Sequence, residues 1–340
     1  MPAITDPLKK ILIVSPSWVG DAVMAQPLFK RLKERHQNLL LDVLSPPWCA
    51  PLFTRMKEVD SVLVNPFKHG ELKILQRYRF AKSLKGKYDQ VIVLPNSFKS
   101  ALVPFFSATP LRTGYIGEMR KALLNDARPL QKLRYPLMVE RFALLAENRN
   151  ESLRRPLKYP SLTSTPEQKK AAFEKLGLNP EKTVVAFCPG AEYGPAKRWP
   201  PEYFAQLAKM LVPRYDIWLI GSKKDREIGD EIRKLGGDAC LNLCGMTELD
   251  EAIDLISEAA FVVSNDSGLM HVAAALGKPM VAIYGSSSPG FTPPLSDKAR
   301  IAKLEIECSP CFERTCPLGH FDCMKKLHPD TIFKMIEEIE

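Results

Sequence analysis

Residues 264–285 read SNDSGLMHVAAALGKPMVAIYG, and this stretch decides the fold. It is entered from a short apolar run, Phe261-Val262-Val263, which breaks into the polar turn 264–268. Small and apolar residues from 269 to 276 suit a closely packed helix, Gly277 stops it, and 279–284 is a second apolar run. Strand, polar turn, helix and strand in that order make half of a doubly wound parallel sheet. Such sheets bind ligands at the carboxyl ends of their strands, where this turn falls. The unpaired amides opening the helix suit a phosphate. Asp266 would repel phosphate, so its carboxylate is expected on hydroxyls or in organising the turn. A nucleotide-linked ligand is the expected occupant.

The alternation extends in both directions. Strands are predicted at 10–15, 40–44, 62–64 and 90–94, with helical stretches near 22–36, 48–57, 70–84, 97–107 and 136–150. The Pro-, Ser- and Thr-rich segment 157–165 reads as a linker. The pattern then restarts: a helix opening at Thr165-Pro166-Glu167, strands at 183–188, 217–221, 239–243, 261–264 and 280–284, and a last helix at 329–340. The expected fold is α/β, with two Rossmann-like domains, 1–160 and 166–328, facing a cleft.

With 340 residues, 45% hydrophobic and 26% charged, the chain is long enough for two cores. Its net charge of +9 is unevenly held. Residues 1–160 carry 27 Lys and Arg against 13 Asp and Glu, and residues 161–340 carry 21 against 26. The basic first half invites a phosphorylated partner, nucleic acid or an anionic membrane surface. No export signal or membrane-length apolar run is read, so a cytoplasmic protein with reduced thiols is expected. The apolar segment 100–111 is a candidate membrane contact.

Four loops could carry chemistry. SPSWVGD, 15–21, follows the first strand with one glycine where a dinucleotide fingerprint needs three, which disfavours an NAD or FAD enzyme. Asp21 there is either a helix-capping acid or a catalytic carboxylate. PGAEYGPAKRWP, 189–200, offers Gly190 and Gly194 for close backbone approach, and Lys197 and Arg198 for a departing diphosphate. GSKKD, 221–225, places Asp225 as a ribose acceptor or a helix cap. Ser267, Gly268 and His271 complete the 264–268 turn, although a histidine on a small-residue helix is commonly structural.

Taken together, SWVGDAVM at 17–24, GAEYGPAKRWP at 190–200, GSKKDRE at 221–227 and SNDSGLMHVAAALGKP at 264–279 resemble the lipopolysaccharide heptosyltransferases of glycosyltransferase family 9. The resemblance implies a GT-B fold with the donor on the second domain, the acceptor on the first, and a terminal helix crossing back to the first. It implies inverting transfer of L-glycero-D-manno-heptose from ADP-heptose to a heptosyl-Kdo-lipid A inner-core precursor of lipopolysaccharide, at the cytoplasmic face of the inner membrane. Other heptose additions remain open alternatives. So do a nucleotide-sugar epimerase or synthase and, more distantly, a basic nucleic-acid-binding protein. By resemblance Asp21 is the general base and Lys197 contacts the diphosphate. Asp225 holds the ribose, Asp266, Ser267, Gly268 and His271 form the donor turn, and Lys99 and Arg120 contact the acceptor. No metal cofactor and no nucleic-acid partner are expected.

Cys308, Cys311, Cys316 and Cys323, with His320 among them, are spaced C-x2-C-x4-C-x6-C. The first pair suits Zn²⁺, but the last spacing is wide for a zinc ribbon, so a structural zinc is the lesser expectation.

Overall fold

The computed structural model describes residues 8–68, 70–237 and 240–339. Ala239, where an expected strand begins, and Glu340, where the expected last helix ends, lie outside them. The chain divides into two compact units, Met1–Pro160 and Ser161–Glu340.

The first unit holds six parallel strands: β1 (Lys10–Val14), β2 (Leu40–Ser45), β3 (Ser61–Val64), β4 (Gln90–Val93), β5 (Leu111–Tyr115) and β6 (Asp126–Arg128). Their order is β3-β2-β1-β4-β5-β6. The sequence therefore changes direction across the sheet between β1 and β4, where a crevice opens at the strands' carboxyl ends. Ile11, Leu12, Ile13 and Val14 are buried, as are Val91, Ile92 and Val93. Two-sided burial of this kind is why central parallel strands read as continuous apolar runs.

β5 and β6 escape that signal because polar groups hold them. Gln90 Nε2 donates to Thr113 Oγ1, Thr113 Oγ1 donates to Asp126 Oδ2, and Arg128 closes on the same oxygen. A buried ladder of hydrogen-bonded polar side chains fixes register and leaves no hydrophobic periodicity. The expected helix at 136–150 is shorter, Met138–Ala143 followed by a single turn at Leu144–Ala146.

The second unit repeats the plan with β7 (Thr183–Cys188), β8 (Tyr215–Leu219), β9 (Cys240–Asn242), β10 (Val262–Asn265), β11 (Met280–Tyr284) and β12 (Ala299–Lys303), in the order β12-β11-β10-β7-β8-β9. Its switch point lies between β7 and β10. The edge strand β12 was not expected, since two of its five residues are exposed and its pattern is weak. The opening helix Pro166–Leu176 carries a capping box between Thr165 and Gln168 and ends at the left-handed Gly177.

The terminal helix, Pro329–Glu337, buries Ile332 and Ile336 in the second unit's core with Phe204, Leu211 and Trp199. Its amphipathic face has apolar partners there, which burial favours. The segment 100–111 corrects one expectation. Ala101, Leu102, Val103 and Pro104 are buried, and Phe105 is its exposed large apolar side chain, so it is core rather than a lipid-facing patch. Among the described residues, no helix is long and apolar enough to cross a membrane. Ile336→Ala is expected to cost the second unit about 2–5 kcal/mol, the usual range for truncating a fully buried aliphatic. Urea unfolding followed through the buried Trp199 and Trp218 measures it.

Candidate functional site

At the first unit's switch point, the chain leaves β1 through Ser15–Trp18 into the helix Val19–Met24. Asp21 lies in that helix's first turn, partly exposed, where a carboxylate complements the helix dipole. Its field reaches Cys49, whose thiol is pushed up to about 12 by burial first and by Asp21 second. Cys49 Sγ and Trp48 Nε1 both donate to Ser17 O, tying the loop after β2 to the loop after β1. Trp18 and Trp48, about half exposed, flank this corner, and the sequence reading passed over both. Aromatic faces left in water beside a carboxylate suit a sugar's C–H surface.

Lys99 follows β4 in the short helical turn Phe98–Ala101, half-buried. Arg120 is a different matter. It is fully buried, and its five N–H donors go to Tyr115 O twice, to Asn96 Oδ1, to Ser100 Oγ and, through a short contact, to Pro95 O. Burial lowers its pKa to about 10. With every donor consumed, Arg120 has none left for an acceptor anion, which corrects the role implied for it. It staples β5 to the 95–100 loop, aided by Glu118, which accepts from Phe98 N at 2.9 Å.

At the second unit's switch point, loops after β7, β10 and β11 converge. Asn265, fully buried, accepts from Trp199 N at 3.1 Å and donates to Pro189 O at 2.7 Å. One amide thus binds both ends of the 189–199 loop to the end of β10. Asp266, nearly buried, accepts from Lys197 Nζ at 2.5 Å and from Ser287 Oγ, both on Oδ2. A buried carboxylate needs such a counter-charge to remain ionised. Ser287 lies in the GSSS stretch 285–288 after β11, and the sequence reading passed it over. Ser267 occupies the cap of the helix Gly268–Ala275 with extended backbone, and its hydroxyl makes no capping bond.

His271 stands one turn into that helix, buried, within the fields of Asp266 and Lys197. Burial, more than either charge, depresses its pKa to about 4, so it is neutral at pH 7 and adds no positive charge for a diphosphate. Asp225 is corrected more fully. Its Oδ2 accepts from Ser222 N at 2.9 Å and Ser222 Oγ at 2.7 Å, a capping arrangement for its own turn. A Cβ on Gly190 would sit 2.3 Å from its Cγ. Gly190 is therefore required by the Asp225 carboxylate rather than by a ligand, and Asp225 faces the protein instead of a ribose.

The four clustered cysteines are free thiols. Among the described residues, no three His, Cys, Asp or Glu side chains are grouped to hold a metal ion. Cys316 Sγ accepts from Phe321 N at 3.4 Å, and this bond leads a set of backbone amides that lower its pKa, whereas burial pushes Cys323 up to about 11.

Comparison with known proteins bears on what these loops hold. The model of glycosyltransferase family 9 (heptosyltransferase) matches residues 77–322. The chain belongs to that family. It is 49% identical to lipopolysaccharide heptosyltransferase 2 of Escherichia coli K12 over 87% of this chain and 88% of the relative. It is 50% identical to lipopolysaccharide heptosyltransferase 2 of Salmonella typhimurium over the same shares. The solved structure of E. coli ADP-heptose lps heptosyltransferase II superimposes with a TM-score of 0.88 at 44% identity, covering 97% of this chain and 98% of that one. The pair of Rossmann-like units expected of a GT-B fold is what these family structures share.

The His271 assignment has a measurable consequence. Between its folded value near 4 and the ordinary 6.5, only the unfolded chain binds the proton. Stability contributed by the neutral ring is complete above pH 6.5 and falls as the pH drops toward 4, by up to about 1.4 kcal/mol per pH unit. Unfolding free energies measured from pH 7 to 4.5 should fall more steeply for the unaltered protein than for His271→Gln.

Proposed function

We propose that this chain is an inverting glycosyltransferase that moves a heptose from ADP-heptose to an inner-core acceptor of lipopolysaccharide. The observation that carries this reading is the Lys197–Asp266 turn at the switch point of the second sheet, in a family 9 chain about half identical to lipopolysaccharide heptosyltransferases 2. The second unit binds the donor. Lys197 and the first amides of the helix Gly268–Ala275 receive the diphosphate, and the Asp266 carboxylate and Ser267 face the heptose hydroxyls. A buried Asp beside a phosphate site would otherwise be repulsive; held by Lys197 and Ser287, it acts as a hydrogen-bond acceptor with its charge balanced.

Asp21 is the general base. A sugar hydroxyl is far too weak an acid to attack an anomeric carbon unaided, and a carboxylate that takes its proton as the bond forms contributes about a hundred- to ten-thousandfold. The hydroxyl oxygen attacks the face opposite the leaving ADP, so one displacement inverts configuration. Lys197 and the helix amides stabilise the charge that grows on the diphosphate, a task for which cations and oriented amides serve without a bound metal ion. His271, neutral, positions the turn by packing rather than charge.

The acceptor is a heptosylated Kdo-lipid A precursor at the cytoplasmic surface of the inner membrane, met by the basic first unit, where Lys99 is the remaining cationic candidate. The positive balance of residues 1–160 and the absence, among the described residues, of a membrane-length apolar helix support a peripheral rather than spanning association.

Asp21→Asn keeps the shape and removes the base. It should reduce transfer at least a hundredfold while ADP binding by the second unit stays within about twofold. Mass analysis of products from ADP-heptose and Kdo-lipid A acceptors, with and without one heptose already attached, reads both the activity and the step. Product formation in excess EDTA is expected to match the untreated rate; loss of activity restored by Mg²⁺ would contradict the metal-free mechanism.

A further inference from the structure

The cysteine-rich segment packs directly on the loops of the donor turn. Arg314 O accepts from Ala196 N at 3.0 Å, and a Cβ on Gly194 would lie 2.4 Å from that same oxygen, so only glycine allows the approach. Tyr193 Oη donates to Phe312 O at 2.7 Å, Phe312 N donates to Ser286 O at 2.6 Å, and Ser309 Oγ donates to Gly285 O at 2.8 Å. Residues 309–314 are thereby tied to both the 193–197 loop and the 285–287 loop, the two that supply Lys197 and Ser287 to Asp266.

That anchoring delivers a second cation. The Arg314 guanidinium lies 5.2 Å from the centroid of the Tyr193 ring, and Lys197 Nζ lies 5.2 Å from the same centroid. Lys197 is charge-balanced by Asp266, while Arg314 is exposed and pairs with no carboxylate among the described residues. Two cations sharing one ring repel each other, and an anion between them relieves that repulsion. A nucleoside diphosphate carries charge that Lys197 alone, already paired, cannot offset.

We infer that Arg314 is a second diphosphate-binding residue, held against the Lys197 loop by its own main chain and by Tyr193, and that the cysteine-rich segment is part of the donor site. This rests on the proposal that the second unit binds a nucleoside diphosphate sugar. A guanidinium presents several donors in a plane and matches phosphate oxygens better than an ammonium does. Arg314 therefore binds and orients the leaving group, while Lys197 stays shared between the phosphates and Asp266.

Calorimetric titration of the full chain with ADP tests it, in buffers from about 50 mM to about 500 mM NaCl. Arg314→Ala should weaken ADP binding about ten- to a hundredfold at low salt, by less at high salt, with an unchanged melting temperature, and Arg314→Lys should recover part of the loss. Undiminished ADP affinity in Arg314→Ala would overturn the inference while leaving the donor reading intact. An equal loss at every salt concentration, or one accompanied by a lowered melting temperature and not relieved by lysine, would also overturn it, marking a merely structural role. Failure of the unaltered protein to bind ADP would remove the donor reading itself, and the inference with it.

Discussion

The second unit depends on one buried charge being answered. Asp266 sits at the end of a central strand, almost without solvent, and its Oδ2 is held by Lys197 and Ser287. Left unpaired, a carboxylate in that position would cost several kcal/mol or take up a proton. The pair therefore constrains two separate loops at once: the one after β7 has to carry a lysine to this spot, and the one after β11 has to carry a hydroxyl. Asn265, one residue earlier, performs the same service with an uncharged amide, closing on Pro189 O and Trp199 N. Two adjacent side chains at the end of one strand thus hold the loops after β7 and β11.

The two units share a strand order and differ in what they place at the switch point. In the first, the edge holds a partly exposed carboxylate among half-exposed tryptophans, and one of the two cations expected to meet the acceptor, Arg120, is fully consumed inside the protein. In the second, carboxylate and ammonium neutralise each other beside an open helix N-terminus. A basic first half by composition is therefore not a basic crevice by construction. Many of its positive charges are committed: Arg31 and Arg35 to Glu147, Arg128 to Asp126, Lys10 to Asp42.

What the sequence revealed follows from which signals survive in one dimension. Central strands of a parallel sheet are buried on both faces, and 183–188 and 280–284 were legible to the residue. Proline and a capping threonine marked the helix at 166. β5, β6 and β12 were illegible because polar ladders or exposed edges hold them, and such contacts are long-range. The same limit governs the site. Asp21, Lys197 and Asp266 were singled out because each lies in a loop after a predicted strand and within a block that resembles the family. Ser287 and Arg314 were not, because nothing local ties them to a turn that precedes them by about twenty to fifty residues of sequence, a separation only the fold closes. Asp225 and Arg120 were misread for the converse reason: a polar side chain near a strand end looks alike in sequence whether it faces a ligand or its own backbone.

That converse error shows how far a family likeness can be carried. Likeness transfers backbone position well, since the packed sheet fixes it, but a side chain's role depends on whether its donors are already taken. Arg120 spends its five donors on four acceptor atoms within the protein; no acceptor anion can recruit it without first orphaning buried acceptors, at about 1–3 kcal/mol apiece. Lys197 is the opposite case. An ammonium has three N–H groups, Asp266 occupies one direction, and a phosphate oxygen can be added without breaking that pair. Donor arithmetic of this sort separates the cation that builds the protein from the cation that meets the substrate, and it does so from geometry that no alignment of sequences contains.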